Sequence, residues 1–247
     1  MSHITILHTN DSHNKLTPEI ARRIREIKDS AGALYLDAGD AIWAGNVYFR
    51  PSGEPALDYL EEAGCDAMTV GNREFHFTQT GFASKLSRGA FPKLCANIRS
   101  QKEGTLPCQP YTSFTMSGVR VVVLGVTVAM VTPRTSSAKF SAFVFDNPVE
   151  TAVRFAGKLR PEADLLIAMN HIGLQNDRKL AQQAPEIDLI IGGHSHDILH
   201  EPEVINGVTI VQAGCYAKLL GRIEAHQADK GWSFLTALIN LQERETA

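Results

Sequence analysis

The chain has 247 residues, a hydrophobic fraction of 44%, and 24 basic against 27 acidic side chains for a formal charge of −3. That composition suits one large globular domain or two small ones, and the near-neutral balance argues against a nucleic-acid partner or an anionic membrane surface. The apolar runs are too short to span a bilayer, the start Met1-Ser2-His3-Ile4-Thr5 lacks the basic and apolar regions of a secretory signal, and Cys65, Cys95, Cys108 and Cys215 show no CxxC spacing, so a cytoplasmic chain without a thiolate zinc site or required disulfides is expected.

Short apolar runs alternate with helical periodicity along the chain. Ile4 to Leu7 is the first expected strand. Thr17 and Pro18 then suit the N-cap and first position of a helix whose apolar face is Ile20, Ile24 and Ile27. Arg22, Arg23, Arg25 and Lys28 fall on its other side and read as a solvated face. A strand is expected at Ala33 to Leu36, a helix between Pro55 and Gly64, a strand at Ala67 to Val70, a helix near Thr80 to Arg88 and a short strand near Lys93 to Ala96. Ser113 to Met116 and Val119 to Val126, joined by Ser117-Gly118, predict a hairpin. Asn147-Pro148 opens a further helix, Leu165 to Ala168 and Asp188 to Ile191 are buried strands, and Leu174 to Ala184 is helical between them. The end of the chain is all strand, with a tight turn at Asn206-Gly207, then Leu219 to Ala225 and Phe234 to Leu241. With no linker or composition shift, one domain over residues 1–247 is expected. Two β-rich halves with helices fit an α/β architecture of two mixed sheets packed face to face.

Polar residues follow the apolar runs in a recurring way. Asp11 and His13 follow the first, Asp37 and Asp40 the second, Asn72, Arg73 and Glu74 the third. Asn97, then Asn170 and His171, then His194 and His196 follow later ones. Ligands in open α/β sheets bind outside the carboxyl ends of the strands. Any one of these residues is explained by a turn or a satisfied loop histidine, but together they point to a metal centre. Imidazole, carboxylate and amide oxygen suit Mn²⁺, Zn²⁺ or Fe²⁺. The candidate ligands are too many for one tetrahedral zinc, so two divalent ions with a bridging carboxylate are expected, activating a water as nucleophile. No P-loop, G-x-G-x-x-G or G-x-S-x-G motif is present, which removes support for nucleotide-fold or serine-hydrolase chemistry.

Ile6-Leu7-His8-Thr9-Asn10-Asp11-Ser12-His13 resembles the opening of the 5′-nucleotidase branch of the calcineurin-like metallophosphoesterases. The resemblance continues through Asp37-Ala38-Gly39-Asp40, Gly71-Asn72, Ala96-Asn97-Ile98, Asn170-His171-Ile172-Gly173, Gly192-Gly193-His194-Ser195-His196, Val211-Gln212-Ala213-Gly214 and Gly221-Arg222. It implies a four-layer α/β/β/α sandwich of two mixed β-sheets flanked by helices. It also implies a dinuclear phosphoesterase that hydrolyses a phosphomonoester or phosphodiester, nucleotides among them, by attack of a metal-bound hydroxide. Asp11, His13 and His196 would hold one metal, Asn72, His171 and His194 the other, and Asp40 would bridge them. Asp37 and Asn97 would orient the loops.

Two departures from the family pattern stand out. The family carries His after the Asn of its Gly-Asn motif, paired with an Asp three residues past that His; here the positions hold Arg73 and His76. Arginine donates no proton but presents a fixed fork to phosphate oxygens, so Arg73 is read as a phosphate or leaving-group clamp or as a structural ion-pair residue. His76 is read as a replacement acid or as a polar surface histidine. The family's nucleotidases also carry a further C-terminal nucleoside-binding domain, expected here to be absent, so nucleotide specificity does not follow. Both departures motivate the alternative of a catalytically weak or inactive metal-binding member acting in regulation or with a partner. A nucleic-acid phosphodiesterase is a weaker alternative because of the charge. Trp43, Tyr48 and Phe49 either stack on a substrate ring or pack on the core. Cys215 is a redox-sensitive residue at the site edge or a buried small hydrophobe, and Arg134 lies in an expected surface loop over 133–140.

Overall fold

In the computed structural model, which describes residues 2–228 and 231–242, strand–helix units build the first part of the chain. The ends of the expected domain, Met1 and Glu243 to Ala247, lie outside the described residues. Strand β1 (His3–Thr9) leads into helix α1 (Pro18–Ala31), where the Thr17 hydroxyl accepts from Ile20 N at 3.3 Å and Gly32 closes the helix at φ 57°. Next come β2 (Leu34–Asp37), α2 (Ala56–Glu62), β3 (Ala67–Thr69), α3 (Gln79–Lys85), β4 (Lys93–Leu94) and β5 (Ile98–Ser100). The predicted hairpin is β6 (Tyr111–Met116) and β7 (Val119–Thr127), and a 3₁₀ turn at Ser136–Lys139 lies in the 133–140 loop. After β8 (Phe143–Phe145), α4 (Pro148–Leu159) is capped by the Asn147 amide oxygen, which accepts from Val149 N and Glu150 N at 3.0 and 3.3 Å. The chain then runs through β9 (Leu165–His171), α5 (Leu174–Gln183), β10 (Leu189–Ile191), β11 (Glu203–Ile205), β12 (Val208–Val211), β13 (Leu219–Gln227) and β14 (Trp232–Asn240).

Among the described residues two six-stranded mixed sheets result, with strand orders β14-β13-β1-β2-β3-β4 and β11-β12-β10-β9-β7-β6. Both have a parallel centre; the second sheet has an antiparallel strand at each edge, whereas the first is antiparallel at its β13–β14 side and ends in parallel β4 at the other. Ile6, Leu36, Val121, Val123, Ile167 and Ile191 pack the sheets face to face. Leu7, Ile24, Tyr35 and Leu57 join the first sheet to α1 and α2, and Val122, Ala152, Leu166 and Leu180 join the second to α4 and α5. Each fully buried Leu, Ile or Val among them stabilises the fold by about 1.5–3 kcal/mol. The expected α/β/β/α sandwich is therefore the architecture.

The structure corrects the sequence reading in three places. The two sheets are not the two halves of the chain: β13 pairs antiparallel with β1, so the C-terminal hairpin belongs to the first sheet. β5 and β8 form a small antiparallel sheet of their own that has no counterpart among the expected strands. The polar side of α1 is not merely solvated, because Lys28 pairs with Asp66 at 3.0 Å and Arg25 Nε donates to Glu62 O at 3.1 Å, tying the helix to the turn that enters β3. No helix among the described residues is long and apolar enough to cross a membrane.

Candidate metal centre

The loops leaving β1 and β2 are zipped together by backbone bonds. Asp11 N donates to Gly39 O, His13 N to Asp40 O and Asn14 N to Ala41 O, at 2.9, 3.0 and 2.8 Å. Gly39 sits at φ 90° with its Cα against Thr69 O and Gly71 N, where a Cβ would fall 2.7 and 2.8 Å away. Only glycine fits both the conformation and the approach. The second sheet is joined at the same end: Thr69 Oγ1 donates to Met169 O at 2.6 Å and His171 Nδ1 donates to Ala38 O at 2.8 Å. That second bond fixes the ring orientation and turns Nε2 inward.

Asp11, His13 and His196 offer ligand atoms that all lie within 4.8 Å of one another, and so do Asp11, Asp40 and His171. Within the first group His196 Nε2 is 3.2 Å and His13 Nε2 3.8 Å from Asp11 Oδ1. Asp40 stands between the two sides, with Oδ1 3.4 Å from His171 Nε2 and Oδ2 4.0 Å from His13 Nε2. Asn72 Oδ1 lies 3.1 Å from His171 Nε2 and 2.9 Å from His194 Nδ1. All seven expected ligand residues are thus brought to one place. Asp11 Oδ2 accepts from Asn10 Nδ2 and from His194 N, both at 2.8 Å, while Oδ1 is buried without a hydrogen-bond partner. An acceptor left bare among imidazoles fits the binding of a divalent cation, and the imidazole, carboxylate and amide donors are of the type such cations take.

Burial opposes a charge on His171, but Asp40 above all raises its imidazole to about 10. Against the upward push of burial, His171 holds Asp40 below the usual carboxylate range. Burial lowers His13, and burial followed by His171 lowers His194. Asp37, raised by burial to about 7, accepts from Thr9 Oγ1 at 2.7 Å and Gly39 N at 3.0 Å. Asn97 bonds to the Thr127 backbone on both its amide atoms, at 2.8 and 3.0 Å. Both therefore hold backbone, as the resemblance implied.

Arg73 N donates to Asp40 Oδ1 at 2.7 Å, Nε lies 3.9 Å from Asp40 Oδ2 without a hydrogen bond, and the guanidinium covers the Trp43 ring at 5.2 Å. His76 is not a surface histidine. It is buried against Gly81 of α3, its Nδ1 accepts from Thr78 N at 3.0 Å, and Phe49 meets its ring at 5.0 Å. Its ring and hydrogen-bond partners are thus in the α3 packing, not among the seven ligand residues. Cys215 is only half-buried.

The sequence reading missed the residues that hold this geometry. Glu74 is fully buried; Oε2 accepts from Asp40 N at 3.0 Å and Gly71 N at 2.8 Å, and Oε1 from Ile42 N at 3.2 Å. Burial, then Asp40, push its carboxyl up to about 8. Lys85, lowered by burial to about 8, donates to Gly45 O, Arg73 O and Phe75 O at 2.8, 2.6 and 3.0 Å. Glu74 lies inside a run singled out in the sequence, but nothing local marks Lys85 as buried.

The model of the calcineurin-like phosphoesterase family matches residues 4–197. The trifunctional nucleotide phosphoesterase protein YfkN of Bacillus subtilis is 30% identical over 271 residues, covering 92% of this chain and 18% of that protein. A 5′-nucleotidase of Vibrio vulnificus is 27% identical, covering 90% of this chain and 48% of its own. The chain therefore spans half the length or less of these curated relatives. The crystal structure of a 5′-nucleotidase precursor from Thermus thermophilus superposes with a TM-score of 0.81 at 24% identity, over 97% of this chain and 54% of that one.

Proposed function

The chain belongs to the calcineurin-like phosphoesterase family, and we propose that it hydrolyses phosphoric esters with the help of two divalent cations. The observation that carries this reading is the buried Asp11 Oδ1, which has imidazoles beside it but no hydrogen bond among the described residues, inside two overlapping groups of ligand atoms. Asp11, His13 and His196 would hold one ion, Asn72, His171 and His194 the other, and Asp40 would bridge them. When bound, such a pair supplies a water ionised near neutral pH and positive charge opposite the phosphoryl oxygens.

The chain's own residues position and clamp. Ala38 O keeps His171 Nε2 aimed inward, and Glu74 keeps the Asp40 and Asn72 loops in register. Arg73 is anchored through its backbone to Asp40 and keeps an unsatisfied Nε beside it. Its permanently charged fork is suited to hold two phosphate oxygens at once and to offset charge that builds on them. Lys85, by donating to Arg73 O at 2.6 Å, supports the loop that carries Arg73. The relatives' names put nucleoside phosphates first among the esters to assay.

The test is phosphate or nitrophenol release from AMP, 4-nitrophenyl phosphate and bis(4-nitrophenyl) phosphate, with Mn²⁺ added and with a chelator. Turnover of at least one ester that disappears on chelation, and in Asp40→Asn, is expected. Stoichiometric binding of two ions with no hydrolysis of any ester would overturn the proposal in favour of a metal-binding protein without catalysis.

A further inference from the structure

His13 has two faces. Its Nε2 looks toward Asp11, Asp40 and His196. Its ring is also part of the wall of a cavity of about 420 Å³ that Asn14, Lys15, Trp43 and Tyr216 complete. The Trp43 indole stands edge-on to the imidazole at 5.1 Å and 82°. Tyr216 lies 5.6 Å from His13 and 5.8 Å from His196.

Core packing explains neither aromatic. Trp43 directly follows buried Ala41 and Ile42, yet 53% of its surface is exposed. Tyr216 is held at φ 62°, a left-handed conformation that bulky side chains rarely adopt. Its N–H is pinned to Asp11 O at 2.8 Å, so the strained backbone fixes the phenol ring at the lip of the ligand cluster. The Arg73 guanidinium lies over Trp43 at 5.2 Å, which joins the aromatic wall to the group assigned to the phosphate. The volume falls within the roughly 300–1,000 Å³ of small-molecule sites. Aromatic walls with one lysine at the edge suit a flat ring with a polar rim.

We propose that this cavity is a subsite for a planar aromatic ring on the alcohol side of the ester, lying between Trp43 and Tyr216. The assignment deepens the phosphoesterase reading and rests on it for the position of the phosphate, since His13 is common to cavity and cluster. The ring could belong to a nucleoside or to an aryl alcohol; the chemistry of the walls is the same for both.

Binding and turnover test it separately. The chain has two tryptophans; Trp232 sits on β14 with its indole N–H on Asp164 O at 2.9 Å. The difference between wild type and Trp43→Phe therefore reports Trp43 emission. Adenosine or phenol is expected to quench that emission saturably in the metal-free protein, and ribose is not. In the metal-loaded protein, kcat/KM for AMP or 4-nitrophenyl phosphate relative to ribose 5-phosphate should fall about tenfold in Trp43→Ala, with most of it restored in Trp43→Phe. A fall for AMP alone assigns a nucleobase; a fall for the nitrophenyl ester alone assigns an aryl group. Ratios within twofold of wild type for both, with no quench, overturn the subsite. If no ester is hydrolysed, the phosphoesterase reading fails, and the quench titration still decides the subsite.

Discussion

Replacing Glu74 asks whether the loops after β2 and β3 are held as one unit. The carboxyl group is fully buried and its oxygens accept three backbone N–H bonds, from Asp40, Ile42 and Gly71. In Glu74→Ala these donors lose their acceptor, at about 1–3 kcal/mol for each buried group. Water entering the vacated space recovers part of this. A net loss of about 3–4 kcal/mol is expected, a large share of the roughly 5–15 kcal/mol typical of a domain. Glu74→Gln keeps the volume and one oxygen but turns an amide NH₂ toward an N–H, so about 1–2 kcal/mol is expected there. Because Asp40 and Asn72 flank the staple, manganese affinity should fall about 10–100-fold in Glu74→Ala, the range seen when a residue behind a metal ligand is lost. Urea unfolding of the metal-free protein gives the first quantity and calorimetric titration with Mn²⁺ the second. A loss below about 1 kcal/mol together with wild-type manganese affinity would show that Glu74 does not hold the loops.

A Cβ on Gly221 would fall inside the buried His8 imidazole across the β1–β13 pair. Gly221→Ala should cost about 1–3 kcal/mol of overpacking and lower Tm by roughly 3–10 °C, and adding His8→Ala should restore most of it in a thermal melt. Burial holds His8 at about 4 against its ordinary value of 6.5. The unfolded chain therefore binds this proton first, so the contribution is intact above pH 6.5 and is lost as pH falls through about 4. At about 1.4 kcal/mol per pH unit it reaches about 3 kcal/mol, and urea midpoints of His8→Asn should fall less steeply than wild type across that window; parallel curves would contradict it. Asp11→Ala removes the carboxylate common to both ligand groups. After dialysis it should retain less than one manganese per chain by elemental analysis, and a wild-type content would remove Asp11 from the site.

The elements legible in the sequence carry their own local signals. α1 has Thr17-Pro18 and the Ile20, Ile24, Ile27 spacing, α4 has Asn147-Pro148, and the β6–β7 hairpin has Ser117-Gly118. β5 and β8 carry none. Each is three residues long and is a strand because it pairs with the other across more than forty intervening residues. The return of β13 to β1 is likewise a pairing choice that no local pattern encodes. At the site, Asp11, His13, Asp40, His194 and His196 are readable because each is an unusual residue type at the end of an apolar run. Glu74 and Lys85 are not, because charged side chains are ordinarily exposed; they are buried only because the folded backbone offers three donors to one and three carbonyls to the other.

Backbone conformation explains why those legible residues sit where they do. Asp11, His13, Asp40, His194 and His196 all have φ between 44° and 76°. Asp, Asn and His tolerate this left-handed region better than other side chains, at a cost of order 1 kcal/mol or more each. Extended backbone would send Asp11 and His13 to the same face of a strand but would carry the chain on past the sheet edge. The left-handed turns instead fold it back, so that both side chains meet Asp40 and His196. The cost is offset by the backbone bonds to Gly39, Asp40 and Ala41 and by the Asp11 carboxylate accepting from His194 N. Each of these offsetting bonds joins one ligand-bearing loop to another. A change that loosens one loop therefore removes part of what holds its neighbour in the strained state, and Glu74, which bonds the Asp40 loop to Gly71, lies where such losses add.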